Sequence, residues 1–438
     1  MMDASRSALV RGVAAFAAVL LAATAHAAPV AIVGGTIHPI SGPAIERGVL
    51  VFDHGKIVAV GAEGAVSVPN NAERIDAGGL HVWPGMIDGY STIGLREISS
   101  VRGTLDVTES GQINPNARAE VAVNVSSTHI PVTRANGVLL AATVPSGSMV
   151  PGSSAVIALD GWTFEEMVRK APAGLVILWP DMGLKARAAE SEGEKRKAGE
   201  GWEERVARLD DMVAEARSYA SARVSKSIPR DKDVRWESLQ SVIDKKTRVW
   251  IAASTLPQIR AAIDWSAKHD LPMALIDSGD GAVGDAWQMA AELAARKIPV
   301  VVQTTRMPRR EYEPYDTPFS APAKLHEAGV EIIFGSWGDA NARNLPSEAA
   351  RAVAYGLPRE AAERALTLDV AQVFGIDDRY GSLEPGKSAT VILVDGDLLE
   401  TRMNVKRAFL DGRELDLSSR HTELWKKWSA RPALHSTK

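Results

Sequence analysis

Tyr90 and Thr92 stand two residues apart in "WPGMIDGYSTIGL" (Trp83–Leu95). In a β-strand, residues i and i+2 point to the same face, so two hydroxyl-bearing side chains aim together. The chemistry open to them is that of a polar pocket floor. The phenol is a hydrogen-bond donor or a weak general acid, and its ordinary pKa of ~10 makes it a poor base at neutral pH.

Other chemistry-bearing residues are scattered. Asp88, Asp277, Asp280 and Asp339 fall near predicted strand ends, and oxygen ligands of this kind suit Mg, Ca or Mn. Against a hard-metal site, "DSGDG" around Asp277 and Asp280 reads as a turn. None of the nine histidines forms an H-x-H or i,i+4 pair, whereas zinc needs three or four N, S or O ligands close together. The chain has no cysteine, which removes disulfides, thiol nucleophiles and thiolate metal sites. There is no G-x-S-x-G elbow for a serine hydrolase, and "VGG" at Val33–Gly35 lies in a strand and is no phosphate loop. Most of the eleven tryptophans read as packing anchors; Trp425 and Trp428 in "ELWKKWSARP" suit a subunit contact.

The frame that must position such residues is large. At 438 residues the chain can bury more than one structural unit. Hydrophobic residues make up 45% and charged residues 24%, ordinary for a globular protein. A formal net charge of -4 gives no electrostatic reason to propose a nucleic-acid partner. Residues 1–27 read as a signal peptide: Arg6 and Arg11, the apolar run Val13–Ala25, then "AHA" with small residues where a signal peptidase reads. That run is shorter than the ~20 residues that span a bilayer. A periplasmic or secreted protein without a membrane span is the expectation.

Residues 28–83 read as short strands with a hairpin at Asp53–Gly55, and a similar pattern returns in 377–420. The economical reading joins both ends into one composite β-sandwich, with 84–376 inserted between them and 421–438 as a tail. The insert alternates eight strand-like runs ("MIDGYSTI", "GVLLAATV", "SAVIAL", "GLVILW", "RVWIAAS", "PMALID", "IPVVVQ", "EIIFGSW") with helices such as Leu256–His269, Ala286–Arg296, Pro346–Tyr355 and Pro358–Leu366. Pro346 and Pro358 suit first turns of helices. This pattern predicts a parallel (β/α)8 barrel, with a doubly wound open sheet as the competitor. Lys185–Arg217 is dense in both signs of charge, either a solvated helical pair or a lid over the barrel mouth.

Three segments together resemble the amidohydrolase superfamily, specifically its exported imidazolonepropionase-like members. They are "VWPGMIDGYSTIGL", the opening "GGTIHPISGPAIERGVLVFDHGKIVAVG", and the long run from "NARNLP" to "GSLEPGKSATVILVDGD". The resemblance covers nearly the whole chain after residue 27. Its last motif, the most specific, favours the (β/α)8 TIM barrel over the open sheet. It implies metal-assisted hydrolysis of C–N bonds in amides or cyclic amides, with a divalent ion bringing the pKa of water from 15.7 to about 7.

Carried over residue by residue, the implied ligands are mostly absent. Strand one should read His-x-His and reads Tyr90-Ser91-Thr92; strand five offers Ala252, Ala253 and Ser254; strand six offers Asp277 and Asp280; strand eight keeps Asp339. In the family pattern Asp88 is a structural residue. The expectations are therefore Asp339 and Tyr90 as catalytic candidates, and Tyr90, Thr92, Ser254 and Asp277 as substrate-binding residues at the barrel mouth. No metal ligand is assigned. Tyr90 and Thr92 either floor a polar pocket or fill the space of the metal and its ligands. Two functions follow: a hydrolase of small or peptide-like amides, or a catalytically inactive pseudoenzyme that binds a small-molecule or peptide-like ligand. The second carries the expectation of a homo-oligomer or of pairing with an intact amidohydrolase.

Overall fold

The computed structural model describes residues 28–182, 201–224, 231–277 and 283–431. Residues 1–27, which the sequence suggests are a signal peptide, Asp280 and the first part of the charged stretch 185–217 lie outside them.

The two chain ends build one sheet. Its N-terminal strands are β1 (Val30–Ile37), β2 (Ile45–Asp53), β3 (Lys56–Ala62), β4 (Glu73–Asp76) and β5 (His81–Pro84). Beyond the barrel strands the chain returns as β14 (Val391–Val394), β15 (Val405–Leu410) and β16 (Arg413–Glu414). The order is β16-β15-β14-β5-β1-β2-β3, with β4 also on β1, so β5 and β14 join the ends antiparallel. The hairpin expected at Asp53–Gly55 forms with His54 at φ 48 and Gly55 at φ 79, two left-handed residues as a tight twisted hairpin requires. Its tip is tied to the far end of the chain: Ala389 N donates to Gly55 O at 2.9 Å, and Gly412 N donates to Ala389 O at 2.9 Å.

The second sheet contains the eight strands expected from the sequence. They are β6 (Met86–Ser91), β7 (Val138–Thr143), β8 (Gly152–Ala158), β9 (Val168–Leu178), β10 (Val249–Ala252), β11 (Met273–Ile276), β12 (Val300–Val302) and β13 (Ile332–Phe334), neighbours in chain order. Closure runs through the strand ends, where Ser336 N and Trp337 N both donate to Tyr90 O at 3.0 Å. β6, β7 and β8 are buried at every position, as in a sheet covered on both faces. One strand departs from the parallel pattern: β8 pairs antiparallel with both β7 and β9. The connections Val144–Pro151 and Leu159–Met167 are shorter than the dozen or so residues a parallel crossover needs.

Outer helices follow their local signals. Leu256–Lys268 starts on a capping box of Thr255 and Gln258 with a proline in its first turn. Pro346 is in the first turn of Leu345–Ala354, while Pro358 sits one residue earlier than expected, as the N-cap of Arg359–Ala365. The charged stretch continues as the helix Trp202–Val224, which buries Leu209, Met212, Val213 and Ala216. Its Asp210 accepts from Trp265 Nε1 (3.0 Å) and Lys268 Nζ (2.7 Å) and pairs with His269 Nε2 (2.6 Å). This part belongs to the outer helix layer, and none of it lines the barrel mouth. Among the described residues, no helix is long and apolar enough to cross a membrane.

Candidate functional site

A cavity of about 640 Å³ opens at the C-terminal ends of the barrel strands, where this architecture places its sites. β6 contributes Tyr90, and the segment after it Thr92 and Arg96. The ends of β9 and β10 add Trp179 and Ala252–Ser254; those of β12 and β13 add Gln303, Thr305, Arg306, Ser336 and Trp337.

Tyr90 and Thr92 face the cavity together, as the strand spacing predicted; they are only 8% and 5% exposed. Ser91 between them turns into the wall and donates to Ala142 O at 2.9 Å. Burial pushes the Tyr90 phenol up to about 12 against the opposing pull of Arg306 and Arg96, so at neutral pH it is a protonated donor. Its ring lies 4.9 Å from that of Trp337, and the Arg306 guanidinium sits 5.3 Å from the Trp337 ring, within cation–π range. Trp337 takes a left-handed backbone, φ 55, uncommon for a bulky side chain. Gly335 makes that crossing feasible: a Cβ there would stand 2.8 Å from Tyr90 Cβ and 2.9 Å from the Trp337 ring.

Two buried carboxylates hold the loops that carry the wall. Glu348 Oε2 accepts from Thr304 N (2.7 Å), Thr304 Oγ1 (2.8 Å) and Thr305 N (2.9 Å), and its Oε1 from Arg351 (2.8 Å). Asp285 Oδ2 accepts from Leu256 N (3.0 Å) and Arg310 (2.9 Å), linking the loops after β10 and β12.

The remaining expected site residues are placed as follows. Ser254 lines the cavity with its hydroxyl directed to Gln258 Oε1 at 3.4 Å. Asp277 is buried but does not line it; its Oδ1 faces Gly284, where a Cβ would stand 1.4 Å away, and burial raises its pKa to about 7. Asp339 also lies outside the lining and pairs with His129 Nε2 at 3.5 Å. Trp337 takes the place at the end of β13 where the sequence suggested that aspartate. Asp88 is a brace: its Oδ1 accepts from Tyr90 N (3.1 Å) and Ser336 N (3.0 Å), joining the first and last barrel strands. Among the described residues, no three His, Cys, Asp or Glu side chains gather as a metal-binding group.

Sequence reasoning missed Arg96, Trp179, Arg306 and Trp337. Trp179 and Trp337 are the last residues of the predicted runs and follow the observed strand ends within three residues, so a rule naming the final side chain of each predicted barrel strand would have found them. The arginines lie deeper in loops that carry no periodic signal.

Comparison with known proteins places this geometry. Residues 313–415 match the model of the amidohydrolase family. The amidohydrolase tasK of Hapsidospora irregularis is 23% identical over 397 residues, 84% of this chain; the chain spans 39% of that protein's length. The crystal structure of an amidohydrolase from Thermotoga maritima MSB8 superposes with a TM-score of 0.76 at 25% identity, covering 88% of this chain and 99% of that one. Molinate hydrolase shares the fold at a TM-score of 0.54 and 16% identity, covering 94% and 99% of the two chains. A barrel of this strand order, joined to a sheet of both chain ends and matched along most of its length by these proteins, supports membership of the chain in the amidohydrolase superfamily.

Proposed function

We propose that this protein is an exported, imidazolonepropionase-like amidohydrolase relative whose barrel mouth binds a small ligand without metal-assisted hydrolysis. The observation that carries the reading is the donor set of the cavity. Its wall offers hydroxyls, amides, indoles and guanidiniums, and among the described residues none that lines it is His, Cys, Asp or Glu. Zinc takes N, S or carboxylate ligands, and harder ions take carboxylates, so these residues do not fit the divalent ion of the family. Guanidiniums at Arg96 and Arg306 disfavour a cation further. Pairing with an intact amidohydrolase, or self-association, is the context in which such a subunit would act.

The alternative is hydrolysis of a C–N bond, favoured by the similarity to the Thermotoga maritima amidohydrolase. It would need a general base at the mouth. Tyr90 stays protonated, and Asp277, whose pKa of about 7 suits the task, does not line the cavity.

Metal analysis of protein purified without chelators, together with a screen of amides, cyclic amides and dipeptides, separates the two. The binding reading expects substoichiometric metal and no turnover. About one metal per chain with metal-dependent turnover would overturn it. Export is tested separately: the mature protein should begin near Ala28, and an intact Met1 on protein recovered from the cytoplasm would refute it.

A further inference from the structure

We propose that the barrel mouth is a site for a small organic acid: an oxyanion, carboxylate or phosphate, on a flat ring body. The proposal rests on the reading of this cavity as a ligand site and names the class of ligand.

Charge comes first. Arg96 and Arg306 both line the cavity, both act electrostatically on the Tyr90 phenol, and among the described residues no acidic side chain shares the lining. Among the described residues no carboxylate forms an ion pair with Arg96. Guanidiniums remain charged at any physiological pH and match the planar oxygens of carboxylate and phosphate.

Unmet hydrogen bonding is the second observation. Thr92 is 5% exposed and Trp179 6% exposed; both line the cavity, and neither Thr92 Oγ1 nor Trp179 Nε1 has a hydrogen-bond partner among the described residues. Trp337 Nε1 is likewise buried without one. Buried donors of this kind are ordinarily satisfied, and two of the three are indole N–H groups, which donate only. An occupant rich in acceptors satisfies them; one rich in donors does not. Protonated Tyr90 adds a further donor.

Shape supplies the third element. Tyr90, Trp179 and Trp337 with Leu178 and Ile276 give flat apolar wall, and the cavity volume of about 640 Å³ is that of a small-molecule site. A ring fits between such surfaces, while a bare inorganic anion would leave them uncovered.

Titration of the full mature chain, followed by tryptophan fluorescence and calorimetry, tests this with benzoate, phenyl phosphate, inorganic phosphate and neutral benzamide. The expected result is saturable binding of at least one aromatic anion, with benzamide weaker by about tenfold or more and inorganic phosphate weaker than phenyl phosphate. Benzoate and phenyl phosphate distinguish the carboxylate and phosphate sources. R96Q should weaken the preferred anion by about tenfold and benzamide by much less, which a misfolded variant would not do. Equal affinity for benzamide and benzoate, or no saturable binding by either aromatic anion, would overturn the proposal. Its failure is distinct from failure of the binding-protein reading, which falls only with stoichiometric metal and turnover. Were turnover found, competitive inhibition by the aromatic anion would still sustain the oxyanion site.

Discussion

Asp88→Asn should stabilise this protein at alkaline pH, although it removes a fully buried charged residue that braces the barrel. Asp88 is 0% exposed, and burial pushes its carboxyl from 3.8 up to about 7 despite hydrogen bonds from Tyr90 and Ser336. A raised carboxyl binds more protons folded than unfolded, so its contribution makes stability fall as pH climbs from about 4 to about 7 and level off above that. The gap between 3.8 and about 7 corresponds to about 4 kcal/mol at 1.36 kcal/mol per pH unit. Asparagine keeps an Oδ1 to accept the same two backbone N–H groups and places a neutral amide where Oδ2 has no partner. It imitates the protonated acid. D88N should therefore match the wild type only below about pH 4, exceed it by about 2 kcal/mol near pH 5 and by up to about 4 kcal/mol at pH 8, with a flatter dependence between. Chemical denaturation of both proteins from pH 4.5 to 8.5 measures this. Asp277, also raised to about 7 by burial, leaves a slope of the same sign in both, so the difference between them isolates Asp88. A variant less stable than the wild type at pH 8, or an unchanged difference across the range, would refute the reasoning.

Three further outcomes follow from the site. Gly335→Ala should destabilise by about 1–3 kcal/mol through overpacking, because the new Cβ meets Tyr90 and the Trp337 ring below 3 Å; thermal melting checks it. Glu348→Ala should cost about 3 kcal/mol by stranding the buried donors of Thr304 and Thr305, and should also weaken benzoate through the loop carrying Arg306. Tyr90→His with Thr92→His should not take up zinc, because the ends of β10 and β11 present Ala252, Ala253, Ser254 and Ile276; stoichiometric zinc by metal analysis would reveal ligands elsewhere.

The fold was legible because its signals are local and repeated. Eight apolar runs became eight barrel strands, and the His54–Gly55 turn and the Thr255–Gln258 capping box formed where turn and cap chemistry put them. The antiparallel course of β8 was also written in the chain, in connections too short for a crossover. The site was legible only in part. Tyr90, Thr92 and Ser254 line the cavity because strand alternation and strand ends fix their direction. Asp277 and Asp339 do not, because past the strand each backbone turns on its own hydrogen bonds. Trp337, at φ 55, takes the mouth and leaves Asp339 to His129. Arg306 reaches the cavity from a loop held by the distant Glu348, and Arg96 from one held by backbone hydrogen bonds between Leu95 and Asp106 and between Glu97 and Thr104; one sequence gives no local sign of such pairings.

A metal held by several barrel strands cross-links them, so a mouth built from other residues needs another way to hold its strand ends. Three arrangements supply one here. Asp88 Oδ1 bridges Tyr90 N and Ser336 N across the closure of the barrel. The Tyr90 and Trp337 rings with the Arg306 guanidinium stack over the same seam. Glu348 gathers Thr304 and Thr305 beneath the last wall. Apart from the Arg306 guanidinium, which serves both, these contacts leave out the groups that the proposed oxyanion would need: Thr92 Oγ1, the indole N–H groups and the Arg96 guanidinium. Bracing and recognition thus meet at Arg306 and otherwise fall to different atoms of the same strand ends. A cavity whose shape is held by its own protein contacts binds with little ordering of side chains, and affinity then depends on complementarity of charge and donors. The selection against a neutral amide should accordingly come from Arg96 and Arg306, while D88N should alter stability and its pH dependence and leave that selection intact.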